Sequence, residues 1–283
     1  MQPLVKQHLR SVARGVVPGI LLVVVGVVAS VGPWSPLALG WADALASRGA
    51  DEAAASVYRS VAHLGVTESI RERAAYRVAM KTAVTQGDPQ LAIRALTAYA
   101  RQHPQGQGRG EALARLADLY MAHLHAPSRA AKAWRAAVES ASDDPEAPDW
   151  LMRAALALEG AGKDRQARAL REQVARQYPE RAAEAWLASA RLLMERGDSD
   201  RAYKLYEQVA ESSHARELRS IGRLGMAICL ENDGDLRGAV AQLDEASEDI
   251  PEDVWRTRRA RILERQQTQE RYAENQKKAA QKR

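Results

Sequence analysis

One cysteine in 283 residues, Cys229, leaves no partner for an internal disulfide and no thiolate set for a zinc site. Phenylalanine is absent, and aromatic residues reach only 5%. That disfavours a sandwich or barrel, folds that draw on aromatic and β-branched residues. Catalytic signatures are missing as well: neither G-x-S-x-G nor H-E-x-x-H occurs. Gly160-Ala-Gly162-Lys163-Asp164 mimics the end of a phosphate loop. However, Ala157 stands where its first glycine belongs and Asp164 where a Ser or Thr belongs. Gly106, Gly108 and Gly110 have the wrong spacing for a dinucleotide fingerprint. His123 and His125 are two residues apart, so on a helix they diverge instead of converging on a metal. The reading is a protein without catalysis, cofactor or metal. Cys229, between Ile228 and Leu230, reads as a buried structural thiol. The acidic pairs Asp143-Asp144 and Glu231/Asp233 read as solvated loop charges.

Charge is unevenly spread. Lys6, Arg10 and Arg14 give the first fourteen residues +3, and the stretch from Arg256 to Arg283 carries +7. The net charge of the whole chain is +5, so the body between those ends is mildly acidic. No charged residue lies between Gly15 and Ala42, and 16–31 read VVPGILLVVVGVVASV. Extended to Trp34, this run of about 20 residues is long enough for a helix to cross a bilayer core. Pro18 falls near its start, where a missing N–H costs little. Trp34 and Trp41 stand where interfacial aromatic anchors sit. With all nearby cations on the N-terminal side, residues 1–14 are expected in the cytoplasm and the remainder across the inner membrane, in the periplasm. The rival reading is a cleaved signal peptide ending near Val28-Ala29-Ser30. Either one exports the body.

The body repeats. Gly49, Gly87, Gly162, Gly197 and Gly234 precede or flank acidic residues, and His125 stands where a sixth glycine is due. The steps are 38, 38, 37, 35 and 37 residues. Five residues after each mark comes Ala54, Ala92, Ala130, Ala167, Ala202 or Ala239. Four later comes Tyr58, Leu96, Trp134, Arg171, Tyr206 or Leu243, and three later Val61, Tyr99, Ala137, Val174, Val209 or Ala246. Pro104, Pro179 and Pro251 close units, and Trp186, Ala190 and Leu193 give a matching first helix. Repetition at this period means stacked helical units. The pattern resembles the tetratricopeptide repeat, with about six helical hairpins over residues 35–251. Ser35-Pro36 reads as an N-cap followed by Pro at the first helical position.

The resemblance implies an all-α solenoid whose first helices line a groove for a protein or peptide partner. Counting from each mark, groove positions fall on Arg77, Lys81, Arg115, Leu119, His123, Arg191 and Leu224. Residues 252–263 read as a capping helix with Val254, Trp255, Arg258, Ile262 and Leu263 on one side, and the chain beyond Gln266 as solvated, frayed or disordered. The expected function is a membrane-anchored scaffold or adaptor in the bacterial envelope. An alternative is a tether that meets anionic lipid or cell wall through the basic tail. A nucleic-acid partner is opposed by the topology.

Overall fold

Each turn glycine ends one helix, and an acidic residue beside it often starts the next. Gly49, Gly162, Gly197 and Gly234 all take the left-handed conformation, with φ between 70° and 86°. In three of these turns the next amide reaches back five residues: Ala50 to Leu45 (3.0 Å), Lys163 to Leu158 (2.8 Å) and Asp198 to Leu193 (2.9 Å). Those bonds satisfy carbonyls the helix end would otherwise leave open. Asp88 then caps the following helix by accepting from the amides of Gln90 and Leu91, and Asp235 does so from Gly238.

His125 adopts φ 45° at its mark, so the missing glycine is replaced by a side chain in a conformation that disfavours one. His125→Gly should therefore raise stability by about 0.5 kcal/mol, because relief of strain exceeds the added freedom of the unfolded chain. Gly162→Ala should lower it by about 1 kcal/mol. Urea-unfolding midpoints would move in opposite directions.

The computed structural model describes residues 33–85, 88–212, 215–248 and 250–281. Among them are thirteen α-helices and no strand: α1 (Ser35–Ser47), α2 (Asp51–Leu64), α3 (Glu68–Thr85), α4 (Pro89–Gln102), α5 (Arg109–Ala122), α6 (Pro127–Ser140), α7 (Ala147–Gly160), α8 (Asp164–Gln177), α9 (Ala182–Glu195), α10 (Ser199–Ser212), α11 (Arg216–Asp233), α12 (Leu236–Glu245) and α13 (Glu252–Gln281). The chain divides into two compact units, one up to Ala157 and one from Leu158. The first holds α1–α6 and most of α7; the second holds the end of α7 and α8–α13.

All eighteen positions of the repeat register are buried, Arg171 included. The register therefore describes real packing: the small residue lets paired helices approach, and the large one fills the space beside it. In the first unit Ala38, Leu39, Ala42 and Leu45 of α1 pack with Ala54, Val57, Tyr58 and Val61 of α2 and with Ala74 of α3. In the second, α9, α10 and α11 share a core of Leu187, Ala190, Leu193, Tyr206, Val209 and Met226. Leu236, Leu243, Ile250 and Ile262 close the far end. Each large aliphatic buried this way contributes about 1.5–3 kcal/mol before entropy is counted.

Two boundary expectations need correcting. Ser35 is the first residue inside α1, and Trp34 occupies the cap position. Ser35 is buried, and its Oγ accepts from the Val66 amide at 3.3 Å, so its oxygen serves the turn between α2 and α3. Beyond Gln266 the C-terminal helix is solvated, as expected, but it is neither frayed nor disordered and runs unbroken to Gln281. Its start is fixed by buried Ile262 and by Trp255, whose Nε1 donates to the Leu243 carbonyl at 2.9 Å. The basic stretch 1–14 and the apolar segment 15–34 lie outside the described residues up to residue 32. Among the described residues no helix is long and apolar enough to cross a membrane.

Candidate functional site

In the first unit the first helices α1, α3 and α5 carry acids that meet tyrosines. Tyr58 Oη donates to Asp43 at 2.6 Å, Tyr76 Oη to Glu111, and Tyr99 Oη to Glu72. Tyr58 and Tyr99 lie on the second helices α2 and α4, so two of these bonds lock a pair internally. The Tyr76–Glu111 bond joins one pair to the next. Burial, followed by the adjoining carboxylate, pushes all three phenols above their ordinary range, so they stay protonated donors. Glu72 and Tyr99 are both buried, with their rings and acids beside Tyr76, whose ring centroid is 5.7 Å from that of Tyr99.

Two clefts open here. One, of about 390 Å³, has Asp43, Glu72, Arg73, Tyr76 and Glu111 in its walls. The other, of about 440 Å³, is bordered by Glu68, Glu72 and His103. Residues of the loop 103–108 line both. A Cβ on Gly108 would lie 2.4 Å from the Tyr76 ring, so this position admits glycine for close approach to an aromatic face. The glycines between Gln105 and Gly110, too widely spaced for a nucleotide loop, thus serve packing.

In the second unit a cleft of about 370 Å³ is lined by apolar Trp186, Leu205 and Ala175 and by polar Arg168, Arg176 and Gln208. Gly160–Asp164, the phosphate-loop mimic, is the turn between α7 and α8, with Gly162 left-handed and no preceding strand. Arg171 fills a position given to tyrosine, leucine or tryptophan in other repeats. It is only 4% exposed and pairs with Glu159. Arg196 binds Asp164 at 2.6 Å.

The charges at Glu231 overturn the expectation of a solvated loop. Glu231 sits in the last turn of α11 and is only 5% exposed. Arg258 (2.9 Å), Arg261 (3.3 Å) and Arg265 of α13 all converge on it. Burial alone would raise its pKa, but Arg258, Arg261 and Arg265 outweigh that and hold it below the usual glutamate range. Cys229, two residues earlier, is buried with its Sγ 3.3 Å from Met194 Sδ. Burial pushes its thiol up to about 11. Folded protein should therefore resist thiol reagents at neutral pH, and urea should expose one reactive group.

The seven groove residues fare unequally. Arg77 is exposed on α3 and sits 3.3 Å from Asp43. Lys81 meets Asp51, so both cations are met by acids of the preceding pair. Arg115 is half-buried beside Asp118, whose carboxyl is raised by burial against the pull of Arg153 and Arg115. Leu119 is buried in α5 and belongs to the core, not to an open face. His123 is exposed just past the end of α5. Arg191 is exposed on α9, whereas Leu224 is partly buried against the last apolar cluster. The first three lie in one unit but do not form an unbalanced cationic patch. Among the described residues no group of three or more His, Cys, Asp or Glu is placed to hold a metal ion.

No curated protein matches the chain. Among solved structures, that of MamA protein has 18% identity and a TM-score of 0.46 over 62% of this chain and 91% of that one. Pseudomonas aeruginosa pilF has 15% identity and a TM-score of 0.42 over 74% of this chain and 89% of that one. A thermophilic tetratricopeptide repeat protein of Thermus thermophilus has 23% identity and a TM-score of 0.36 over 68% and 98%. The tetratricopeptide repeat family model matches residues 150–181 and 184–213. Those spans coincide with α7 to α8 and α9 to α10, so these two hairpins are tetratricopeptide repeats.

Proposed function

We propose that the protein is a membrane-anchored scaffold that holds a protein or peptide partner against its first-helix face in the bacterial envelope. The observation that carries this is the open cleft between the first helices of the first unit. Its Tyr76–Glu111 and Arg77–Asp43 links hold the walls in place before any partner arrives. A preformed site loses little ordering entropy on binding. The 15–34 segment would confine the search to the membrane plane and raise the effective concentration of membrane-bound partners.

Arg73 and Gln107 border this cleft and are exposed, so replacing them leaves the core intact. A photo-crosslinking amino acid at either position should capture a discrete partner in living cells, and Arg73→Ala/Gln107→Ala should lose that partner with unchanged thermal stability. Equal labelling from exposed Arg135 on α6 would overturn the assignment. The topology is tested separately: protease added to spheroplasts should digest the chain beyond residue 35. Complete protection would place the repeats in the cytoplasm and defeat the envelope reading.

A second reading is favoured by one observation. The side chains described between 267 and 281 are all exposed on α13, with Arg271 and Lys277 pointing to solvent. Such a helix fits a tether to an anionic surface, each cation contributing about 1 kcal/mol near charged lipid. Removing 266–283 should then release the protein from cell-wall preparations while leaving partner capture intact.

A further inference from the structure

Nine large apolar side chains are exposed among the described residues, and four of them lie on two segments that a hydrogen bond joins: Trp34 (61%), Leu37 (65%), Leu64 (48%) and Val66 (53%). Trp34 and Leu37 flank the start of α1, and Leu64 and Val66 flank the turn from α2 to α3. The Val66 amide donates to Ser35 Oγ at 3.3 Å, which brings the two segments together. The turn is held in its pose. Arg71 Nη1 donates to the Gly65 carbonyl at 2.8 Å, and the same guanidinium binds Glu68 at 2.7 Å. A Cβ on Gly65 would lie 2.7 Å from the Val61 carbonyl oxygen, so glycine at 65 permits this tight path. Leu64 and Val66 are therefore fixed outward by the structure around them.

Soluble surfaces scatter exposed apolar residues singly, and a gathered patch marks a contact. What covers this one follows from the chain that enters it. The uncharged run 16–31 leads directly into Trp34. If that run spans the bilayer, as proposed above, its end places the patch at head-group depth, where tryptophan is favoured. We infer that the α1 start and the α2–α3 turn form a second membrane contact, with Trp34, Leu37, Leu64 and Val66 seated in the lipid interface. The first helical pair then lies against the bilayer instead of swinging on a free linker. The inference rests on the anchor reading, since without a membrane at residue 34 the patch has no reason to meet lipid.

The test uses the full chain in phosphatidylcholine vesicles containing phosphatidylglycerol. In a Cys229→Ser background, Leu37→Cys, Leu64→Cys and Val66→Cys carry a polarity-sensitive fluorophore, with Leu156→Cys on α7 as an exposed control. Expected are blue-shifted emission and severalfold stronger quenching by spin-labelled lipid at 37, 64 and 66 than at 156. In unlabelled wild type, amide exchange at 64–67 should slow when the protein enters vesicles. Labels at 64 and 66 as wet as that at 156, on protein that floats with the vesicles, overturn the inference and leave the anchor standing. Protein that does not float removes both. Shielding that appears in detergent and grows with protein concentration assigns the patch to a second copy and also overturns the inference.

Discussion

Glu231→Gln should loosen α13 on the second unit. The substitution keeps shape and volume but removes the one negative charge on which Arg258, Arg261 and Arg265 converge. What remains is three guanidiniums at close quarters with a neutral amide. Removing the anion from a fully buried ion pair costs about 3–5 kcal/mol. Arg261 and Arg265 are about half exposed, so water screens part of their repulsion and the expected loss is nearer 2 kcal/mol. That is roughly a thirty-fold change in the docking equilibrium. Apolar support for α13 is narrow, consisting of Ile262, partly buried Trp255 and the neighbouring Ile250, and beside it stand only the Trp255–Leu243 hydrogen bond and the more exposed Arg259–Asp244 and Arg237–Glu270 pairs among the described links. Tryptic cleavage after Arg258 should rise steeply in the variant, while the first unit keeps its exchange protection. Unchanged protection of α13 would show that the arginines are bystanders.

The same carboxylate sets a pH dependence. Its folded pKa lies below the ordinary glutamate value of 4.5. Its contribution is therefore complete above that value and is lost as pH falls through the depressed one. Acid should release α13, whereas neutral to alkaline pH should leave it docked. High salt should loosen it as well, because two of the three arginines are open to solvent.

Arg171→Leu should make the protein more stable. Arg171 occupies a core position of the repeat, and its Nε and Nη1 have no hydrogen-bond partner; Glu159 is held through Nη2. Burying unpaired donors costs about 1–3 kcal/mol, and the attraction to partly hydrated Glu159 does not offset the guanidinium's desolvation. Leucine already fills the equivalent place at Leu96 and Leu243, both fully buried. The expected gain is about 1–2 kcal/mol, or some 2–8 °C in melting temperature. Arg171→Ala should instead lose stability, because it removes volume from a packed site. If leucine destabilises as much as alanine, the ion pair is a net contributor and the argument from desolvation fails.

The backbone plan was legible because glycine and alanine report local necessities. A left-handed turn needs glycine, and a close helix contact needs a small side chain. Both recur at the repeat period, so six helical pairs could be placed from the chain alone. The polar links were not legible in the same way. Glu231 looks like a turn acid until α13 folds back over it, and nothing local to residues 229–235 announces that return. Arg77 and Lys81 looked like unopposed groove cations because their partners, Asp43 and Asp51, belong to the preceding pair. A signal did exist: Tyr76/Glu111, Lys81/Asp51 and Arg196/Asp164 stand 35, 30 and 32 residues apart, close to one period. Searching for opposite charges at that separation would have found them. Leu119 shows the converse failure, since counting from a turn mark gives a helix position but not which side meets the core.

The one-period reach of these links has a mechanical consequence. Among the described residues, these links within each unit join a hairpin to the adjoining one, so tension is shared locally. A steady pull on residue 33 would unravel the first unit in steps, α1 and α2 peeling away before α3 and α4 yield. Optical-tweezer traces should accordingly show a staircase of small rips instead of one large event.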